Sequence, residues 1–182
     1  MRKLTTTGFL LAGLISCSYT VAAPGSITLV PFKVVKSPAS CKESICLQDV
    51  LVKKNTTESQ LKDLIIAISC AHRKNSLQSL GFAPTTPKNP RGPYFAVSVD
   101  IFDDPAQMKQ LHLLDKYPEA KNLDALYEKY RKNIKASYVD TYISIKNGRG
   151  GDAFIGVKDA AAFKLIELPA LANCPVITLG TR

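Results

Sequence analysis

The chain contains no tryptophan, two methionines and only two histidines, His72 and His112, in 182 residues. So few imidazoles argue against a histidine-built metal centre, and neither His-Glu-x-x-His nor a Gly-x-Ser-x-Gly elbow occurs. Long apolar runs are missing except near the N-terminus, so nothing later in the sequence is built to cross a bilayer as a helix. Repeats and low-complexity tracts are missing as well. Acidic residues are in deficit, with 15 Asp+Glu against 24 Lys+Arg for a formal charge of +9, and none falls between Leu64 and Val99. What remains is a globular composition, 46% hydrophobic and 21% charged, which excludes wholesale disorder and collagen-like architecture. The length fits one domain with a substantial core.

Arg2 and Lys3 precede the apolar run of residues 8–15, and small residues follow to Ala23, the order of a secretory signal over residues 1–23. The run is too short for a permanent anchor, which needs roughly 20 apolar residues. Leu14-Ile15-Ser16-Cys17 resembles the bacterial lipobox, so the alternative is a lipoprotein signal over residues 1–16 with Cys17 lipidated. Thr20-Val21-Ala22 before Ala23-Pro24 favours ordinary cleavage. Either route removes Arg2 and Lys3, and the formal charge falls from +9 to +7. Residues 24–182 are then a single domain, secreted or periplasmic, or tethered to the outer membrane through Cys17.

Export also sets the meaning of Cys41, Cys46, Cys70 and Cys174. An even number of cysteines in an oxidising compartment reads as two disulfides, and the favoured pairing is Cys41 with Cys46 and Cys70 with Cys174. Zinc ligation is the competing reading, but Cys-x-x-Cys is missing. No metal or cofactor is assigned.

Residues 26–30 and 32–35 read as a strand interrupted by Pro31, which has no N–H to give a ladder, and residues 46–53 pair with it as a hairpin. Thr57-Glu58-Ser59-Gln60 has capping-box order, and Leu61, Leu64, Ile65, Ile68 and Ala71 recur at helical spacing, predicting a helix over 58–73. Residues 83–93 carry four prolines and form a long loop. Residues 94–102 are β-branched and aromatic, the best strand in the chain, expected near a sheet centre. Asp104 and Pro105 start a second helix that ends before Pro118. A third is capped by Asn122, with a stripe of Leu123, Leu126, Tyr127, Tyr130 and Ile134. Residues 137–146 and 153–158 flank a glycine-rich turn as a hairpin, and residues 175–179 close with a strand. The fold class is α+β: a largely antiparallel sheet covered by about three helices and stapled by two disulfides.

Chemistry-bearing residues are few. Asp100 ends the best strand, beyond what capping explains, and His112 lies on the second helix; together they are the acid/base pair of a hydrolase reading. Asp103 and Asp104 are explained by capping, and His72 by the carbonyls at a helix end. The turn 147–151 lacks the Gly-Lys-Ser/Thr of a phosphate-binding loop, and the Asn55-Thr56-Thr57 sequon decides nothing, because the signal looks bacterial as readily as eukaryotic. Cationic residues instead form two groups, Arg73, Lys74, Lys88 and Arg91 in the acid-free stretch and Lys129, Arg131, Lys132 and Lys135 at the end of the third helix. The leading expectation is therefore a small exported bacterial protein that binds an anionic surface, lipid or envelope or host protein partner through these residues. Nucleic acid is not the expected partner. A secreted hydrolase and a lipid-anchored structural envelope protein are the alternatives.

Overall fold

A computed structural model describes residues 25–36, 45–82, 96–116, 122–141, 151–156 and 164–180. The signal segment with Cys17, Cys41, the proline-rich loop with Lys88 and Arg91, and turn residues 147–150 lie outside the described residues.

Local chemistry sets the first helix, α1 (Glu58–Arg73). Thr57 Oγ1 accepts from the Gln60 amide at 3.3 Å, and Gln60 Oε1 accepts from the Thr57 amide at 2.9 Å, completing the capping box. Leu61, Leu64, Ile65, Ile68 and Ala71 are all buried, as their spacing requires. The chain leaves the helix through Asn75, whose φ of 55° is left-handed.

Strands β1 (Ser26–Leu29) and β2 (Lys33–Lys36) are separated by Pro31, and they belong to different sheets. Pro31 therefore divides two pairing partnerships instead of interrupting one strand. β2 pairs antiparallel with β3 (Ile45–Leu51), as the expected hairpin. β4 (Ala96–Phe102), β5 (Ile134–Thr141), β6 (Asp152–Ile155) and β7 (Lys164–Leu165) complete a six-stranded sheet in the order β2-β3-β4-β5-β6-β7. Four of its five pairings are antiparallel. The exception is β3–β4, a parallel pair joined through α1 as a crossover. β1 pairs parallel with β8 (Val176–Leu179) in a separate two-stranded sheet.

Alternate residues of a strand face opposite sides, which gives the six-stranded sheet two unlike faces. Val50, Val97, Val99, Ile101, Ala136 and Tyr138 join Leu64, Ile65 and Ile68 of α1 in the large core. On the other face Phe102 and Ile134 meet Met108 of α2 (Pro105–Lys116), with Val35, Leu51 and Leu111 at the margin. Asp104 caps α2, accepting from the Ala106 amide at 2.8 Å. The helices thus cover both faces of a mixed α+β body.

The third helix, α3 (Leu123–Arg131), is shorter than its apolar stripe suggested, and Ile134 opens β5. Asn133 explains the stop: its amide donates to the Tyr130 carbonyl at 3.1 Å and to Gln107 Oε1 at 3.0 Å, closing the helix and fastening it to α2. Asn122 has a φ of 60° and makes no side-chain capping bond, so the expected cap is a left-handed turn residue instead. At the start of β5 the ladder pairs Ile101 with Ala136 and Phe102 with Ile134, leaving Lys135 as the extra residue of a bulge.

The expected long-range staple is present: Cys70 is disulfide-bonded to Cys174, 104 residues away. It joins the last turn of α1 to the segment that enters β8. The second expected bond involves Cys41 and so falls outside the described residues.

Candidate functional site

The cationic residues singled out by the sequence do not share one environment. Arg73 is half-buried: its Nε donates to the Ser69 carbonyl at 3.3 Å and its guanidinium lies 3.6 and 3.7 Å from the sulfurs of Cys70 and Cys174. It is occupied by the disulfide. Lys135, pushed out by the bulge, pairs with Asp103 at 3.4 Å. Lys74 is exposed past the end of α1, and Lys129 and Lys132 are exposed at the end of α3, with Lys129 5.4 Å from the Tyr130 ring centroid. Arg131 is the last residue of α3.

α1 ends beside Tyr138 and Asp140, whereas α3 runs into Ile134 at the other end of the same strand. At about 3.4 Å per residue in an antiparallel strand, the two groups are separated by roughly 20 Å. They are two patches.

Asp100 and His112 are brought onto one face of the sheet, linked through a residue the sequence reading passed over. His112 Nε2 donates to the Asp49 carboxylate, and Asp49 is the register partner of Asp100 in the parallel β3–β4 pair. Asp100 in turn accepts from Ser137 Oγ at 2.5 Å, across the antiparallel β4–β5 pair. The result is a polar seam over α2 and three strands: His112, Asp49, Asp100, Ser137. Its serine is paired with an aspartate and its histidine with the other aspartate, so the serine and histidine are not coupled as nucleophile and base. Asp49 and Ser137 are buried. A charge-assisted hydrogen bond offsets part of the cost of holding each carboxylate there.

A second polar group, inside the large core, also escaped the sequence reading. His72 Nδ1 donates to Tyr138 Oη at 2.9 Å, and that hydroxyl donates to Asp140 Oδ2 at 2.8 Å. All three residues are buried. Burial, and then the adjacent Asp140 carboxylate, push the Tyr138 hydroxyl far above its ordinary range, so it stays a neutral donor. His72 is thus a core hydrogen-bonding residue, not only a helix-end group facing carbonyls. The signal for this pairing was the alternation of Tyr138 and Asp140, which puts both on one face, two residues apart.

A cavity of about 490 Å³ opens where the β1–β2 connection, the short 3-10 turn Leu77–Leu80 and the end of β8 meet. Neither the seam nor the His72 group lines it. Among the described residues no cluster of three or more His, Cys, Asp or Glu side chains is arranged to hold a metal ion, and no helix is long and apolar enough to cross a membrane. No protein-family model, curated protein or solved structure matches the chain.

Proposed function

We propose that this is an exported bacterial protein that works by binding, with an anionic surface as its target. The supporting observation is how the chain distributes its few acids. Asp49, Asp100 and Asp140 hydrogen-bond to His112, Ser137 and Tyr138, and the acids exposed on α3 are Asp124 and Glu128. Lys74, Lys129 and Lys132 meanwhile stand exposed without an ion pair among the described residues. An exposed cationic surface attracts polyanions over about one Debye length, roughly 8 Å at physiological salt.

The test is co-sedimentation with vesicles of mixed phosphatidylglycerol and phosphatidylcholine. Binding should fall as salt rises, and charge reversal at Lys74, Lys129 and Lys132 together should weaken it by about tenfold or more, equivalent to about 1.4 kcal/mol. Unchanged binding in that triple variant overturns the reading.

Hydrolysis through Asp100 and His112 is the second reading, supported by the Asp49 link that places both on one face. It predicts an esterase, glycosidase or peptidase activity that Asp100→Asn and His112→Ala each remove, with the fold intact by circular dichroism.

A further inference from the structure

The Cys70–Cys174 bond ties a buried helix end to a surface segment. From Ala170 to Val176 the chain passes through a short 3-10 turn, Leu171–Asn173, and Cys174 is the one buried residue of that stretch. Leu171 is 48% exposed and Val176 59%. The segment is thus held to α1 by the disulfide and to β1 by the β8 ladder that follows, with little apolar burial of its own.

Both sulfurs face one cation. The same Arg73 guanidinium nitrogen lies 3.6 Å from Cys70 Sγ and 3.7 Å from Cys174 Sγ, while Nε donates to the Ser69 carbonyl at 3.3 Å. That backbone bond holds the guanidinium against the sulfurs, and among the described residues no carboxylate forms an ion pair with it. Burial and the negative end of a helix both disfavour a thiolate, and Cys70 has both around it in the last turn of α1. An adjacent guanidinium acts the other way, favouring the thiolate over the thiol.

We propose that this bond is a thiol–disulfide exchange site, a latch on the entry to β8, in which an incoming thiolate attacks Cys174 and Cys70 leaves as a thiolate beside Arg73. Position selects the sulfur attacked: Cys174 lies on the surface segment, whereas Cys70 is fully buried in the helix. The attacking sulfur bonds to Cys174 Sγ, the S–S bond breaks, and its electron pair goes to Cys70 Sγ. With glutathione the product is a mixed disulfide on Cys174. A second glutathione thiolate then attacks the glutathione sulfur of that adduct, giving oxidised glutathione and a Cys174 thiolate. The opened chain keeps the β1–β8 ladder but loses the tether between α1 and the segment entering β8.

Reduced glutathione is the probe, added to the native full chain at mildly alkaline pH and quenched with N-ethylmaleimide before peptide mapping by mass. Early samples should carry glutathione on Cys174 and N-ethylmaleimide on Cys70. Arg73→Gln should slow the reaction by about tenfold, and Arg73→Lys, which keeps the charge, should stay within about threefold of the parent. Closure of the mixed disulfide, with Cys70 attacking Cys174, should reach half its maximal rate at lower pH in the parent than in Arg73→Gln, a displacement that loss of packing alone does not produce. His72 and Lys74 on α1 and Tyr138 and Asp140 on β5 stand at the same end of the helix and are unchanged in both chains, so the displacement reports Arg73. In the opened chain amide exchange should speed up at residues 176–179 while α1 keeps its protection. Lys129→Glu and Lys132→Glu should leave the exchange rate unchanged, so failure of the surface reading and failure of this one are read separately. Glutathione found first on Cys70, an Arg73→Gln chain that reacts as fast as the parent, or reduction only in urea that unfolds the whole chain overturns the proposal.

Discussion

The two faces of the six-stranded sheet use the same strands for opposite purposes. Under α1, Val97, Val99 and Ile101 of β4 and Ala136 and Tyr138 of β5 form a continuous apolar layer, and the His72–Tyr138–Asp140 group is sealed inside it. Under α2, the odd-even alternation delivers Asp49, Asp100 and Ser137 beside a core whose buried members, among the described residues, are Phe102, Met108 and Ile134. The first face holds the fold together by area removed from water. The second buries less apolar surface and so depends relatively more on its hydrogen bonds, each of which contributes modestly because it replaces one to water. Asymmetry of this kind leaves one side of a sheet free to vary while the other fixes the architecture.

The largest expected effect comes from unfastening the first face. Replacing Cys70 and Cys174 together by alanine should destabilise the protein by about 4 to 5 kcal/mol in the chain-entropy model for a loop of this length, read by urea unfolding. Next, Ile65→Ala in the fully buried stripe of α1 should cost about 3 to 4 kcal/mol, while Leu111→Ala on the partly buried margin of the second face should cost less than about 2. Equal losses at Ile65 and Leu111 would break the comparison.

Tyr138→Phe sharpens it further. The substitution strips both His72 and Asp140 of a buried partner and should cost about 1 to 3 kcal/mol at neutral pH. Its pH dependence has a definite sign. The native pKa of Tyr138 is raised above its ordinary 10.0, so above about pH 10 the unfolded chain releases this proton while the native state keeps it. Stability should therefore fall as pH rises past that point, and Tyr138→Phe should flatten the fall. A parallel pair of curves between pH 8 and 11 would contradict the buried network. The smallest effect is Ser137→Ala on the second face, about 1 to 2 kcal/mol for a bond to a carboxylate that is only half-buried.

What could be read from the sequence follows the range of the forces involved. α1 was legible to the residue because its cap and its stripe are both local, and β4 was legible because β-branched alternation is local too. The Cys70–Cys174 bond was among the pairings an even cysteine count allows, although spacing alone left others open. Parallel pairing of β3 with β4 was not read, since the neighbour of a strand is chosen by crossover geometry. The Asp49 link to His112 depends on that pairing and was hidden with it. The end of α3 was misread because Ile134 continues the apolar spacing, while Asn133, which closes the helix, carries a signal visible only with its partners in place. The cationic residues were correctly identified as a surplus, but their division between two ends of β5 required the register of a strand that no local pattern reveals.

The pairing of β1 with β8 has a consequence in time. These strands are bridged by a bond between Thr28 and Thr178, 150 positions apart, so the earliest strand of the described chain waits for the latest. Contacts of such separation close late, after the loop entropy of everything between them has been paid. As the chain emerges from its N-terminal end, the segment at residues 26–29 thus waits for residues 176–179 before this ladder can form.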